Sequence, residues 1–155
     1  MEKAVANTRP DSPFLLLERA YPVAPEKVWR AWTDPEALKR WWAPRPGDRV
    51  SVCELDVRVG GRFRIVFGPE GGEQNECAGE YLEVEKNRRL VFSWHWPRST
   101  PERVSRVAIS FLASAGGTEL VFRHDRFFDQ AAADAHNRGW SAAFGKLDAY
   151  IQSLS

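Results

Sequence analysis

Hydrophobic and polar residues alternate with a period of two along most of the chain, which predicts strands. The first alternating stretch covers residues 14–23. After Gly47 the alternation returns in six stretches, which are separated by turn signals rich in glycine and proline. Because short connections of this kind join neighbouring antiparallel strands, we predict a meander. The six later strands are predicted at residues 49–57, 62–67, 76–84, 90–96, 104–113 and 118–127.

Two parts of the chain have a helical period instead. Pro25 suits the first position of a short helix, and a second short helix is predicted to begin near Pro35. A long helix is predicted over residues 130–154 with Asp129 as its N-cap. Gly139 inside it costs about 1 kcal/mol relative to alanine, which indicates close packing or a bend. The apolar stripe of this helix consists of Ala133, His136, Trp140, Phe144, Leu147, Ile151 and Leu154.

The order of these elements predicts an α+β fold. One strand, two short helices, six strands and a long helix follow one another. Because the long helix is the element large enough to cover the sheet, we expect a seven-stranded curved antiparallel sheet wrapped around it. Where sheet and helix part at one end, we expect a cavity closed by the two short helices. Residues 1–12 are predicted to form a loose tail, and residues 13–155 one domain.

Charge and composition exclude several classes of partner. The 22 lysines and arginines nearly balance 21 aspartates and glutamates, so the net charge of +1 favours neither nucleic acid nor a membrane surface. The longest apolar run, residues 14–17, is too short to span a bilayer, and no secretory leader precedes it, so we expect a cytoplasmic protein. Cys53 and Cys77 have neither CxxC spacing nor nearby histidines, so we expect reduced thiols and no metal site.

Five stretches of the chain resemble one protein family, in the family's order. They are "APEKVWRAWTDPEALKRWWAP" from Ala24, "VGGRFRI" from Val59, "GEYLEVEKNRRLVFSWHW" from Gly79, "GTELVFRHDRF" from Gly117 and "HNRGWSAAFGKLDAYI" from His136. On these residues the chain resembles the Hsp90-ATPase-activator-homologue-like (AHSA1-like) branch of the START-like superfamily, also called SRPBCC or Bet v 1-like. The resemblance implies the helix-grip fold. It also places a histidine at the position of His136 in many relatives.

The resemblance implies one fold but does not imply one function. The superfamily holds lipid carriers, hormone receptors, cyclases and hydrolases, and a fold does not choose among them. The eukaryotic cochaperone of the family resembles this chain only in its second domain, so we do not expect Hsp90 activation. We expect no cofactor.

Three side chains are candidates for acid or base chemistry. His124 continues an alternating strand pattern and His136 lies on the stripe of the long helix, so both are predicted to face the cavity. Glu80 lies on a strand of ambiguous phase and is either an inward acid or an edge charge. His95 alternates out of phase with Trp94, so we expect it at the solvent-facing side. An enzyme of the cyclase or hydrolase kind would use His124, His136 and Glu80 as its acid or base.

A binding function needs only an apolar cavity with a few polar anchors, and we favour it for this reason. In the pair at the end of the second short helix, Trp41 is predicted to face the core and Trp42 the rim of the cavity. A third hypothesis takes residues 39–46 as an exposed docking patch, with homodimer formation there or at a sheet edge. The predicted residues around a small hydrophobic or aromatic ligand are Trp32, Trp41, Trp42, Phe63, Phe67, Phe92, Trp94, Phe122, His124, His136, Trp140 and Phe144.

Overall fold

Seven strands and three helices make up the structure, a computed structural model that describes residues 12–43 and 45–155. The predicted α+β helix-grip architecture is confirmed. Of the predicted tail, residues 1–11 lie outside the described residues. The elements are β1 (Phe14–Tyr21), α1 (Pro25–Thr33), α2 (Pro35–Leu38), β2 (Asp48–Leu55), β3 (Arg62–Pro69), β4 (Asn75–Glu85), β5 (Arg89–Trp96), β6 (Thr100–Ser114), β7 (Gly117–Asp125) and α3 (Gln130–Gln152).

The strands form one antiparallel sheet in the order β1-β7-β6-β5-β4-β3-β2. Strands β2 to β7 are neighbours in chain order, as the short turns between them require. The first strand pairs with the last over its whole length, from Phe14 opposite Asp125 to Tyr21 opposite Thr118. The sheet curls into a half-barrel around α3, so one of its faces is turned towards that helix.

The core lies between α3 and the concave face of the sheet. Alternate residues of β6 and β7 are fully buried there, among them Ile109 and Phe122. They face the apolar stripe of α3, in which Phe144, Leu147 and Ile151 have no exposed surface. Full burial of one such side chain stabilises the fold by roughly 1.5–3 kcal/mol, which explains why the helix can be held by a single stripe.

Polar contacts fix both the start of α3 and its attachment to the edge of the sheet. The Asp129 carboxylate accepts a hydrogen bond from the Ala132 backbone N–H at 2.9 Å, which confirms the predicted N-cap. Near the other end, Asp148 accepts from the Tyr21 hydroxyl at 2.7 Å and from the Arg19 guanidinium at 3.1 Å. Burial raises the pKa of Tyr21, and so does its bond to Asp148, so the phenol remains the donor. Within the described part of the chain, no helix is long and apolar enough to cross a membrane.

The two short helices close one side of the core. Trp29 of α1 packs edge-on against Phe111 of β6, with 5.3 Å between ring centroids. Trp41, just after α2, has no exposed surface, and its indole N–H donates to the Ala31 carbonyl of α1 at 3.0 Å. This bond and the Trp32–Trp41 contact, at 4.6 Å, hold the two helices to each other.

Most strand ends differ from the prediction by one or two residues, and two of the differences have a local reason. β6 begins at Thr100, ahead of the predicted residue 104, and so contains Pro101. Its pairing with β7 starts only at Arg106, so the missing N–H of the proline leaves no bond to β7 unmade. β7 ends at Asp125 rather than at residue 127, because Arg126 has a φ of 64°, a left-handed conformation that breaks the strand.

Both cysteines lie on strands, Cys53 and Cys77 each opposite Ile65 of β3. Neither is in a disulfide. Burial raises the pKa of the Cys53 thiol to about 11 and that of Cys77 well above its ordinary value. Both side chains are therefore protonated thiols at neutral pH.

Gly79 of β4 is required by packing, and its replacement tests the sheet geometry. A methyl group there would lie 1.8 Å from the Ser93 carbonyl oxygen and 2.6 Å from the Phe63 ring. We expect Gly79→Ala to lower the free energy of unfolding by about 1–3 kcal/mol or more, measured by urea denaturation. The matched control is Gly116→Ala in the β6–β7 turn, where a methyl group meets no atom within 4 Å. Equal stability of the two variants would contradict the packing of β4 against β5.

Candidate functional site

A cavity of about 370 Å³ lies between the first half of α3 and strands β3 to β5, beside the segment that follows α2. Strand alternation brings Trp94 and Trp96 of β5 to the same face, while Trp140 comes from α3. The apolar part of the lining consists of Trp42, Phe67, Trp94, Trp96, Trp140, Ala135, Gly139 and Ala143. The polar part consists of Arg45, Asp48, Asn75, Ser99 and His136.

Four of these residues, Trp42, Trp94, Trp96 and Trp140, form a continuous set that we call the tryptophan wall. Trp42 meets Trp140 edge-on at 5.3 Å between centroids and Trp94 at 5.8 Å. Trp94 in turn contacts Trp140 at 5.2 Å and Trp96 at 5.4 Å. Such tilted and edge-to-face pairs are the favoured aromatic arrangements, so the wall is held by its own contacts.

The charged groups of the lining lie at the mouth of the cavity. Arg45, Asn75 and Ser99 are exposed and Asp48 is partly exposed. The Lys146 ammonium of α3 donates to the Arg45 carbonyl at 3.2 Å and so ties the mouth to the helix. One cation and one anion line the mouth, and neither sign of charge dominates there.

His136 accepts a hydrogen bond from the tryptophan wall. Its Nε2 atom lies 3.0 Å from the Trp96 indole nitrogen, and its Nδ1 atom lies 2.8 Å from the Ala132 carbonyl. Because an indole N–H only donates and a carbonyl only accepts, these partners assign the neutral tautomer with the proton on Nδ1. Burial lowers the pKa of His136, against the opposing effect of the Ala132 carbonyl. Together His136 and Trp96 also border a second void of about 60 Å³.

His124 has the same kind of arrangement one layer deeper. Its Nδ1 accepts from the Trp140 indole N–H at 3.0 Å, and its Nε2 lies 2.7 Å from the Ser105 hydroxyl. That hydroxyl donates to the Trp94 carbonyl at 3.4 Å, so the imidazole must donate to it, and His124 is neutral with its proton on Nε2. The side chain is fully buried, and burial, with a smaller effect of His136, lowers its pKa well below the ordinary value.

Both predicted histidine bases are therefore occupied by structural hydrogen bonds. Each imidazole has one nitrogen accepting from an indole and the other donating, so neither has a lone pair directed at the cavity. Over residues 12–43 and 45–155 the structure contains no cluster of three or more histidine, cysteine or carboxylate side chains suited to a metal ion. The site is an apolar cleft whose imidazoles orient its tryptophans.

The structure brings some of the predicted ligand-binding residues together and separates others. Trp42, Phe67, Trp94, His136 and Trp140 line the main cavity. Trp32, Phe63 and Phe92 border a separate void of only about 10 Å³, too small for an organic ligand. Trp41, Phe122, His124 and Phe144 are fully buried core residues. Their partners are other core side chains: Phe122, for example, has its ring centroid 4.6 Å from that of Trp140.

Glu80 is corrected as a candidate acid. On β4 the buried residues are Cys77, Gly79 and Tyr81, so Glu80 between them points to the opposite face of the sheet. Its backbone N–H donates to the Ser93 hydroxyl at 2.9 Å. His95 lies on that same outer face opposite Ala78, and is partly buried rather than fully exposed.

The docking-patch hypothesis requires exposed tryptophans, and Trp41 and Trp42 are buried. Trp41 is fully buried and Trp42 is only 5% exposed, so neither offers the exposed aromatic surface that an anchor needs. Both rings pack against other tryptophans instead. Trp42 lines the cavity, whereas Trp41 lies behind it in the core.

Several lining residues were missed by sequence reasoning. Trp96 continues the alternation of Trp94, and that pattern was sufficient to include it. Arg45 and Asp48 precede the strand predicted at residues 49–57, so its alternation did not include them, although Asp48 is the first residue of β2. At Gly139 the predicted close packing is wrong, because a methyl group there would meet no atom within 4 Å outside the helix's own backbone, whereas the alternative of a bend stays a prediction. A glycine that weakens the helix indicated a special position, and the structure shows that this position faces open space rather than a packed neighbour.

The curled antiparallel sheet, the long C-terminal helix and the cleft between them define a helix-grip protein. The family model for "Activator of Hsp90 ATPase homolog 1-like protein" matches residues 22–152. The chain belongs to this family. The family and its fold indicate a ligand-binding or interaction module.

Solved structures and a curated relative agree with this assignment. A crystal structure of the AHSA1 protein from Silicibacter pomeroyi has 26% identity and a TM-score of 0.81, over 92% of this chain and 100% of that one. A protein from Chromobacterium violaceum has 26% identity and a TM-score of 0.80, over 89% and 96%. The mouse "Activator of 90 kDa heat shock protein ATPase homolog 2" is 30% identical over 73 residues, which are 45% of this chain and 19% of the mouse protein.

The free energy of unfolding should decrease as the pH is lowered, because unfolding lets the buried His124 and His136 take up protons. Their pKa values in the fold lie below the ordinary value of about 6.5, so below that pH the unfolded chain binds protons that the folded chain does not. We expect no change in stability from this source above pH 7. Between pH 6.5 and 5 we expect a loss of up to about 1.4 kcal/mol per pH unit for each histidine that stays neutral.

Urea denaturation at pH 7.5, 6 and 5 measures this dependence. The control is His136→Gln, whose amide oxygen still accepts from Trp96 but does not titrate, and its stability should fall less than that of the wild type. A wild-type free energy of unfolding that is constant from pH 7.5 to 5 would contradict the neutral assignment.

Proposed function

We propose that the protein binds a small apolar or aromatic molecule, without a cofactor, in the cavity that the tryptophan wall lines. The observation that carries the proposal is the combination of size and lining. A volume of about 370 Å³ falls within the range of roughly 300–1,000 Å³ typical of small-molecule sites. Five of the lining residues are aromatic: Trp42, Phe67, Trp94, Trp96 and Trp140.

The distribution of polar groups supports an apolar ligand with its polar end, if it has one, at the mouth. Inside the cavity the indole N–H groups of Trp96 and Trp140 are already bonded to imidazoles. What they present to a ligand is therefore carbon surface, and each Å² of ligand surface removed from water contributes roughly 25 cal/mol. Arg45, Asp48 and Asn75 at the mouth remain accessible to water and to a polar substituent.

The enzyme alternative has less support from the geometry. A cyclase or hydrolase would need an acid or base beside the bound molecule. Both ring nitrogens of His124 are bonded, to Trp140 and to the Ser105 hydroxyl, and both of His136, to Trp96 and to the Ala132 carbonyl. Glu80 faces away from the cavity. The carboxylate that does line the cavity, Asp48, lies at the mouth and is partly exposed.

Chaperone activation forms no part of the proposal. The similarity to the mouse activator takes in 19% of that protein, and activation of a heat-shock ATPase is what the name of the mouse protein says of the mouse protein. Homodimer formation stays a prediction, and ligand binding in the cavity does not depend on it.

The proposal is tested by titration with N-phenyl-1-naphthylamine, a neutral probe that fluoresces in apolar surroundings. We expect saturable binding to the wild-type protein. Replacing Trp42 by leucine removes part of the wall, and should weaken probe binding by about tenfold or more, since small changes in an apolar pocket cost about 1–3 kcal/mol. At a free probe concentration of 100 times Kd, binding should also raise the free energy of unfolding by about 2.7 kcal/mol.

Trp29→Leu is the matched control. Trp29 is 7% exposed, close to the 5% of Trp42, but it packs on Phe111 away from the cavity. The control should lose stability while keeping its affinity for the probe. Absence of saturable binding to the wild type, or an equal loss of affinity in the two variants, would refute the proposed site.

A further inference from the structure

Gly139 occupies the middle of α3, where glycine weakens a helix relative to alanine. Neither a left-handed backbone conformation nor a close contact explains this glycine. Its φ is not among the positive values of the chain, and the helix continues without interruption to Gln152. A methyl group at this position would meet no atom within 4 Å, so no neighbour requires its absence. What remains is its position on the wall of the 370 Å³ cavity.

We propose that Gly139 sets the size of the ligand that the cavity admits, by letting the bound molecule lie directly against the backbone of α3. This inference rests on the proposed binding function and adds to it a residue that determines specificity. Gly139 lies one position before Trp140 of the tryptophan wall and three after His136, so any side chain added there projects among groups that already line the cavity. A methyl group added at Gly139 fills part of this space without displacing a neighbour.

The same helix contains a matched control. Gly145 is also helical, and a methyl group there also meets no atom within 4 Å, but it is exposed and lies past Ala143, the last cavity-lining residue of α3. Alanine at either position should improve helix propensity equally and raise Tm by about 2–4 °C. Only the residue at position 139 should alter ligand binding.

The experiment compares Gly139→Ala and Gly139→Leu with Gly145→Ala and Gly145→Leu. Two probes of different size are used, indole by calorimetry and N-phenyl-1-naphthylamine by fluorescence. We expect Gly139→Ala to weaken binding of the larger probe by about tenfold or more, as one added methyl group does in a filled apolar pocket, and Gly139→Leu to abolish it. Binding of indole should change less in Gly139→Ala, and both Gly145 variants should bind like the wild type.

The outcomes separate this inference from the function on which it rests. If the wild type binds neither probe, the binding function fails and the role of Gly139 fails with it. If the wild type binds but the Gly139 variants keep its affinity for both probes, only the role of Gly139 is overturned. An equal loss of affinity in the Gly145 variants would also overturn it, because the effect would then come from the helix as a whole. The Tm of each alanine variant establishes that the chain is folded.

Discussion

One long helix has to cover the apolar face of a seven-stranded sheet, and this mismatch in width shapes the molecule. Seven strands spaced about 4.8 Å apart would span about 29 Å if flat, whereas a helix with its side chains is about 10–12 Å across. The sheet curls around α3 as a consequence, and α1 and α2 cover part of the face that α3 leaves open. Along the first half of α3 the remaining gap is bordered by large flat indoles that cannot fill it, and this gap is the cavity.

Placing so many tryptophans inside creates a second requirement, because a buried indole N–H is costly without an acceptor. Trp41 uses a backbone carbonyl, while Trp96 and Trp140 use the imidazoles of His136 and His124. The histidines are thus acceptors that orient the wall, and Ser105 extends the second chain of bonds into β6. Among the residues that the structure describes, the indole nitrogens of Trp32 and Trp94 are buried without a partner.

These two requirements together explain the character of the site. The imidazoles of His124 and His136 accept hydrogen bonds from indoles of the wall. The surface that faces the cavity is mostly aromatic carbon, with small residues on the helix side. The charged groups are left at the mouth, where water reaches them. A fold of this family supports many functions, and the proposal of apolar binding rests on these particular side chains.

Strand and helix periods are local properties, and for that reason much of the architecture follows from the sequence alone. The seven strands, the two short helices after the first strand and the Asp129 cap are encoded within a few residues of where they occur. The alternation on β4, however, did not reveal that Glu80 faces outward, because its neighbours gave no clear phase.

The tertiary structure alone decided which aromatic side chains meet the cavity and which are core. Trp41 and Trp42 are adjacent in sequence and both nearly fully buried, yet only Trp42 lines the cavity. The difference depends on how far the sheet curls and on where α3 lies across it. Both are set by contacts between residues far apart in the sequence, such as Trp42 and Trp140. Gly139 shows the same limit. That a glycine lies within the apolar helix is plain from the sequence, but that it faces open space follows only from the packed structure, because the atoms around that space come from other elements.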